Sequence, residues 1–290
     1  MEIAFITDNL NTAKKCRNAD ILYFGDEFCQ NRIPDTKTVQ TAYELATARK
    51  IKFTFVLPYI TNEKIKAVDR VLEYLNGLET KIEVVFNDWG TFLMIAAYKN
   101  LSPVLGRLLA KQRKDPVAED IILNKQNKMK IITGTRKKLM VETKKVPLSL
   151  KTYFQKSFLD IAHVTDFMIS NNINRCELDL LPWGSKLNIN KKIKQSVYYP
   201  FVNISTTRYC GAINLSYANK CNFICRNRTL EIGKDKLKYT YIIKGNAIFY
   251  KASPEMLSKA LSNKNTDRIV INDLPALQHL KDKKIRLNKV

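Results

Sequence analysis

Short apolar runs alternate with amphipathic stretches through the first 105 residues, and this alternation constrains the fold more than any other feature of the chain. The apolar runs cover residues 3–7, 20–25, 52–58, 81–88 and 103–106. The stretches between them carry apolar residues at helical spacing, as in 36–50 and 61–76. Strands and helices that alternate over short loops form parallel sheets with right-handed crossovers. Near-continuous apolar strands suit a sheet covered on both faces or closed into a barrel.

The pattern resumes after an irregular, Lys-rich stretch at residues 108–147. The later segments read as strands at 175–182, 195–205 and 268–272, as helices at 149–171 and 254–261, and as a hairpin at 239–250 that turns at Lys244-Gly245-Asn246. About eight strands and six helices fit a modified (β/α)8 barrel. The sequence therefore predicts an α/β, TIM-barrel-like fold as a single domain over residues 1–290, with 108–147 as a basic insertion.

The cysteines are concentrated late in the chain. Three of the six, Cys210, Cys221 and Cys225, fall close together, and the last two are spaced C-x3-C. Such a density of thiols suggests that they bind one group jointly, and Cys29 is the best fourth ligand because it follows the second predicted strand. The C-terminal ends of parallel barrel strands meet on one face, where these cysteines can converge. We favour a 4Fe–4S cluster as the cofactor, with residues 206–228 as the cluster-binding loop.

Two other interpretations of these cysteines stay open. Zinc is bound by four thiolates more often through two C-x2-C knuckles, whereas this chain has one C-x3-C and two single cysteines. The thiols could also be small buried hydrophobic side chains without a ligand. Burial is the favoured role for Cys16, in a predicted helix, and for Cys176, in a predicted strand. Cys176 is the reserve ligand.

The formal net charge of +22 is large. It indicates an anionic partner such as RNA, or else a Lys-rich composition spread over solvated surfaces, because the lysines lie along the whole chain. The densest basic stretch is 111–145, where a polyanion would be expected to bind. The first residues lack the basic segment of a signal peptide, and no run of about 18 apolar residues occurs. We therefore expect a cytoplasmic protein without a membrane span.

Polar residues follow several predicted strands, the position where barrel enzymes place working groups. These residues are Asp26, Glu27, Asn87 and Asp88, and helix capping or turn formation is the alternative role for each. Asp8 is expected to cap the helix that follows the first strand. Arg32 and Arg107 could bind an anionic group through two hydrogen bonds. Neither His163 nor His279 is paired by a motif with Ser or Cys, so a hydrolase triad has no support.

Several segments resemble the collagenase-like peptidase family, peptidase family U-32. Residues 20–32, Asp-Ile-Leu-Tyr-Phe-Gly-Asp-Glu-Phe-Cys-Gln-Asn-Arg, look like the family's strand with its Gly-Glu/Asp and Cys-x-x-Arg. Residues 36–58 and 82–90 are also similar. Cys29, Cys210, Cys221 and Cys225 match the ligand set of the short iron–sulfur members, which assist oxygen-independent ubiquinone hydroxylation.

The resemblance implies a 4Fe–4S protein that takes part in, or assists, an oxygen-independent hydroxylation or modification of an aromatic or RNA substrate. A peptidase is the first alternative, but residues 205–210 lack the Glu and Gly that precede the cysteine in the peptidase-type members. A non-catalytic accessory subunit with a structural metal site is the second alternative. The resemblance also implies a heterodimer with a homologous family member.

Overall fold

The computed structural model describes residues 1–114, 127–132, 138–143, 148–211, 221–226, 228–233 and 239–277, with the backbone alone for 127–132, 138–143, 148 and 151. Its centre is a closed barrel of parallel strands. Their order around the barrel is Glu2–Thr7, Ile21–Gly25, Lys52–Val56, Ile82–Phe86, Leu101–Leu105, Arg175–Asp179, Lys194–Tyr199 and Thr266–Ile271, and the last of these pairs with the first. The helices of the first half alternate with these strands. This architecture confirms the predicted α/β barrel.

The element bounds are as follows. The strands are β1 (Glu2–Thr7), β2 (Ile21–Gly25), β3 (Lys52–Val56), β4 (Ile82–Phe86), β5 (Leu101–Leu105), β6 (Asn127–Ile132), β7 (Lys138–Thr143), β8 (Arg175–Asp179), β9 (Lys194–Tyr199), β10 (Phe201–Thr206), β11 (Leu230–Ile232), β12 (Tyr241–Lys244), β13 (Ala247–Lys251) and β14 (Thr266–Ile271). The described helices are α1 (Leu10–Lys15), α2 (Thr36–Ala48), α3 (Ile65–Asn76), α4 (Trp89–Ala96), α5 (Leu148–Gln155), α6 (Ala162–Ser170) and α7 (Pro254–Leu261). None of them is long and apolar enough to cross a membrane.

Local sequence explains where the barrel helices begin. The side chains of Asp35, Asp88 and Ser253 each accept a hydrogen bond from a backbone N–H in the first turn of α2, α4 and α7. The helix after β1 is capped by Asn9, whose Oδ1 accepts from the N–H of Thr12 at 3.1 Å. The prediction that Asp8 caps this helix is therefore wrong, because the Asp8 carboxylate pairs with Arg32.

A second, antiparallel sheet in the order β10-β13-β12-β11 stands beside the barrel. The predicted hairpin is confirmed as β12–β13, with Lys244 opposite Ala247 and Gly245 in the left-handed conformation at φ +64°. The predicted strand at 195–205 is two strands, since the chain leaves the barrel at Pro200 and enters the second sheet. Proline lacks the N–H that a continuous barrel strand would need.

The structure differs from two predictions about the middle of the chain. The single helix predicted at 149–171 is broken into α5, a short 3-10 turn at Phe158–Asp160 and α6. Ser157 and Asp160 form a capping box that begins a new helical segment there. The predicted insertion at 108–147 contains the antiparallel pair β6–β7. Its residues 115–126, 133–137 and 144–147 lie outside the described part of the chain.

The barrel interior is polar at its N-terminal end. Arg268 donates to the hydroxyl of Tyr23 at 2.7 Å and pairs with Glu83, and the Tyr23 hydroxyl donates to Glu177 Oε1 at 3.0 Å. The other carboxylate oxygen of Glu177 is buried without a hydrogen bond in the described structure. Burial raises the pKa of Glu177 from its usual 4.5 to about 7, although Arg268 and Arg175 oppose the shift.

This pKa predicts how stability changes with pH. The folded protein keeps a proton on Glu177 that the unfolded chain has already lost, so the stability contribution of Glu177 falls as the pH rises from about 4.5 to about 7. Glu177→Gln cannot ionise and should escape this loss. In urea unfolding, the free energy of unfolding of the variant should rise relative to that of the wild type by up to about 3 kcal/mol across this pH range. The exposed Glu63→Gln should track the wild type, and a constant difference between Glu177→Gln and the wild type would contradict the assignment.

Candidate functional site

A cavity of about 810 Å³ opens at the end of the barrel where the parallel strands finish. The loops after β1, β2 and β14 line it, and residues of β12 and β13 form another wall. All four predicted cluster ligands border this cavity, namely Cys29, Cys210, Cys221 and Cys225. The structure thus brings together thiols that lie far apart in the sequence. Their role as ligands remains a prediction.

The turn after β2 positions Cys29. Gly25 ends the strand with φ +136°, and a Cβ at this position would lie 2.1 Å from the carbonyl oxygen of Val56, so only glycine fits. Asp26 Oδ1 then accepts hydrogen bonds from the N–H groups of Phe28 at 2.8 Å and Cys29 at 2.6 Å. The Cys29 backbone is therefore fixed by a neighbouring carboxylate.

The late cysteines reach the cavity from the second sheet's side. Cys225 lies in the 3-10 turn Ile224–Arg226, and Asn222 Oδ1 accepts from the N–H of Ile224 at 3.2 Å. A Cβ built on Gly245 would lie 3.5 Å from Cys225 Sγ, so the hairpin turn packs directly against this thiol. Residues 212–220 and 227 of the predicted loop 206–228 lie outside the described residues.

Three basic side chains border the thiols. Arg32 pairs with Asp8 at 2.7 Å and with Asp26 at 2.8 Å. Arg226 pairs with the other Asp8 oxygen at 3.1 Å. The third is Lys244, for which no described carboxylate lies within ion-pair distance. Carboxylates of the protein thus neutralise Arg32 and Arg226, whereas Lys244 has no such partner among the described residues.

The protein environment shifts the pKa values of these groups. Burial raises the pKa of Cys29 to about 11, and Asp26 raises it as well. Burial also raises the pKa of Cys225, opposed by Arg32 and reinforced by the thiols of Cys210 and Cys221. Such thiols are protonated at neutral pH unless a metal takes the place of the proton.

Two of the cations respond differently to the same surroundings. Burial would lower the pKa of Arg32, but Asp26 and Asp8 outweigh it and raise the pKa. Burial lowers the pKa of Lys244, and the neighbouring Arg32 lowers it further, although Asp26, Asp8 and the thiol of Cys225 oppose the shift. The charge of Lys244 is thus less well compensated than that of Arg32.

The remaining cysteines lie apart from the cavity. Cys16 and Cys176 are buried in the core that surrounds the barrel, and neither borders the cavity. Cys176 is fully buried, and burial raises its pKa far above the usual range. The structure therefore gives no support to Cys176 as the reserve ligand. In the described part of the chain, no three or more Cys, His, Asp or Glu side chains are arranged to hold a metal ion.

Arg107 forms the floor of the cavity and is fully buried. Its Nε and Nη2 donate to the two carboxylate oxygens of Glu27 at 2.9 and 2.7 Å, and its Nη1 donates to Asp179 at 2.7 Å. Lys114 also pairs with Asp179. The guanidinium stacks over the Tyr198 ring, 4.0 Å from its centre. Arg107 was predicted to bind an anionic group, and the anions that it binds are carboxylates of the protein itself.

The titration of these carboxylates differs although they share one arginine. Burial raises the pKa of Glu27 more than Arg107 lowers it. Burial also raises the pKa of Asp179, but Arg107 and Lys114 together outweigh it and lower the pKa. The cavity floor is a network of buried charges in which Arg107 pairs with both acids and Lys114 pairs with Asp179 as well.

Other residues singled out by sequence have structural roles. Asn87 donates to the carbonyl of Leu57 at 2.9 Å, and Asp88 caps α4. His163 lies in α6, away from the cavity lining, and His279 is outside the described residues.

Two functional candidates were missed by sequence reasoning. Asp8 joins Arg32 and Arg226 beside the thiols. Asn246 at the hairpin turn donates to the carbonyls of Phe28 and Thr207, both at 2.7 Å. The turn signal Lys244-Gly245-Asn246 could have located this tip, but nothing local in the sequence places it against Cys29 and Cys225.

Comparisons with known proteins give only distant matches. No protein-family model and no curated protein matches the sequence. The solved structure described as the U32 peptidase Mk0906 is similar over 94% of this chain and 93% of that chain, with 9% identity and a TM-score of 0.43. It comes from the family that the sequence resembles.

Two structures of SuiB from Streptococcus suis, one bound to the precursor peptide SuiA, are also similar. They have 15% identity and TM-scores of 0.28 and 0.27, and the match covers 59% and 65% of this chain. The matched region spans 42% of each SuiB chain. At these identities and scores none of the three likenesses assigns a function.

Arg107→Met tests the floor of the cavity. The variant leaves Glu27 and Asp179 buried without their shared cation, so we expect a loss of about 3–5 kcal/mol in the free energy of unfolding. Urea denaturation at neutral pH measures the change. Arg70→Met, at an exposed position of α3, should change stability by less than about 0.5 kcal/mol. A loss in Arg107→Met no larger than that control would show that the buried network contributes nothing.

Proposed function

We propose that this protein binds a 4Fe–4S cluster through Cys29, Cys210, Cys221 and Cys225. The observation that carries the proposal is that the four thiols, from two distant parts of the sequence, border one cavity. In a four-iron cluster each thiolate binds a different iron, so the ligands stand around the cofactor. A zinc ion, about 2.3 Å from each sulfur, gathers its ligands around one point. The spacing in the sequence, one C-x3-C and two single cysteines, favours the cluster over zinc, which is bound more often through two C-x2-C knuckles.

The surroundings of the thiols fit such a cofactor. A cluster with four thiolate ligands is an anion. Lys244 borders the same cavity without an ion-pair partner among the described residues, whereas Asp8 and Asp26 already pair with Arg32 and Arg226. Burial and nearby charge are the means by which a protein sets the reduction potential of a cluster. Gly245 adopts the left-handed conformation that lets the hairpin turn beside Cys225, and a Cβ at this position would be in van der Waals contact with the thiol.

The cavity also has room for a second molecule. Its volume of about 810 Å³ lies within the range of small-molecule sites. Phe28, Phe201, Ile242 and Phe249 line it and offer an apolar surface to an aromatic ring. We infer an aromatic ring, free or in an RNA nucleobase, as the target of the reaction.

The reaction class rests on the sequence resemblance of residues 20–32 and of the cysteine set. On that basis the protein takes part in, or assists, an oxygen-independent hydroxylation or related modification in the cytoplasm. When bound, the cluster would pass electrons or bind the oxygen donor. The chain itself supplies the apolar wall that holds the target and excludes water. It also supplies the carboxylates of Glu27 and Asp179, which Arg107 fixes in the cavity floor. An accessory role beside a homologous family member and an RNA partner both stay predictions.

Metal analysis after anaerobic purification tests the ligand assignment. We expect about four iron and four sulfide ions per chain in the wild type, with the broad visible absorbance of a 4Fe–4S protein. Cys221→Ala and Cys225→Ala should each lose most of the iron and the colour, because each removes a ligand from the cavity. Iron, sulfide and spectrum are measured on the same samples.

Cys16→Ala and Cys176→Ala provide matched controls, since each removes a thiol that does not border the cavity. Both should keep the iron content of the wild type. A colourless wild-type protein with stoichiometric zinc would overturn the proposal. Unchanged iron in Cys221→Ala and Cys225→Ala would refute the ligand assignment, and gelatin cleavage by a variant without the cavity cysteines would favour the peptidase.

A further inference from the structure

The tip of the β12–β13 hairpin packs against one predicted ligand, Cys225, and is hydrogen-bonded to the segments that carry Cys29 and Cys210. Asn246 is the centre of these contacts, because its side-chain amide donates to the carbonyl of Phe28, which precedes Cys29. The same amide donates to the carbonyl of Thr207, three residues before Cys210. The N–H of Thr207 returns a hydrogen bond to the Asn246 carbonyl at 3.0 Å. One side chain thus connects the segments that carry an early and a late cysteine.

Gly245 extends these contacts to a third cysteine. Its left-handed conformation, φ +64°, turns the hairpin so that the backbone packs beside Cys225. The tip is also held from outside, since Tyr59 Oη lies 3.2 Å from Asn246 Nδ2 and donates to the Thr207 carbonyl at 2.5 Å. The position of the tip relative to the thiols is therefore defined by several hydrogen bonds.

Lys244 occupies the place before this turn and faces the cavity. Ile242 and Phe249, which share its face of the hairpin, pack with Phe28, so the ammonium group lies beside apolar surface. Each neighbouring arginine has a carboxylate partner, whereas no described acid pairs with Lys244. A partly buried cation without an anion is unfavourable, which indicates that an anion belongs in the cavity.

We propose that Lys244 is the cationic partner of the cluster and raises its reduction potential. This inference rests on the proposed function. One-electron reduction adds a negative charge to the cluster and changes no bond to Lys244. A nearby cation stabilises the reduced form more than the oxidised form because the reduced form carries the extra charge. Lys244 therefore acts on the cluster through its charge alone, and the thiolates remain the ligands.

Redox titration of the reconstituted protein tests the proposal. With an electrode as the source of electrons, Lys244→Gln should lower the midpoint potential. We expect a threefold to tenfold fall in the ratio of reduced to oxidised cluster at a fixed potential, or roughly 30 to 60 mV for a one-electron couple. Lys244→Arg keeps the charge and should restore the wild-type ratio.

Lys251→Gln is the matched control. It removes the same charge from the same hairpin, at an exposed position outside the cavity lining, and should leave the potential unchanged. An equal shift in Lys244→Gln and Lys251→Gln, or no shift in either at full iron and sulfide content, would overturn the role of Lys244 and leave the proposed function standing.

Iron and sulfide analysis separates the remaining outcomes. Loss of the cluster in Lys244→Gln but not in Lys244→Arg would support the charge role, because Arg keeps the positive charge that Gln removes. Equal loss in both would show that Lys244 acts through packing and would overturn the inference. Absence of iron from the wild type would instead end the proposed function and the inference together.

Discussion

The buried ion network of Arg107 is the interaction on which the rest of this end of the barrel depends. Arg107 follows β5, Glu27 follows β2 and Asp179 ends β8, so one guanidinium joins three strands of the barrel. It also donates to the carbonyl of Phe201 in β10, at 3.1 Å, and thereby joins the barrel to the second sheet. Charges with no access to water must be paired, so these elements cannot move apart independently.

The geometry of the cysteine cavity follows from this anchor. Glu27 lies two residues before Cys29, and its carboxylate is fixed by two hydrogen bonds from Arg107. Phe201 begins the sheet whose hairpin tip packs against Cys225. Arg107 thus fixes both the segment that carries Cys29, through Glu27, and the start of the second sheet, through Phe201. A cofactor at this place would be held by loops, but the loops are held by strands.

The sequence predicted what depends on local pattern. Parallel strands, the hairpin at Lys244-Gly245-Asn246 and the position of Cys29 after β2 all followed from apolar runs and turn residues. What it missed depends on contacts between distant segments. Asp is a residue type that often caps helices, but the carboxylate of Asp8 pairs with Arg32, which lies 24 residues later in the sequence. The helix is therefore capped by Asn9. The break at Pro200 shows the same limit, because an apolar strand pattern runs through it without interruption.

The charge of the cavity is a local property and does not follow from the net charge of +22. An excess of lysine raises the potential over the whole surface, but salt screens that field beyond about 10 Å. Beside the thiols, Asp8 and Asp26 already neutralise most of the charge of Arg32 and Arg226. Among the described residues there, the cation without an ion-pair partner is Lys244, which lies next to buried sulfur and apolar rings. An anion in this cavity would therefore be selected by one cation at close range, whereas a polyanion such as RNA would respond to the surface as a whole.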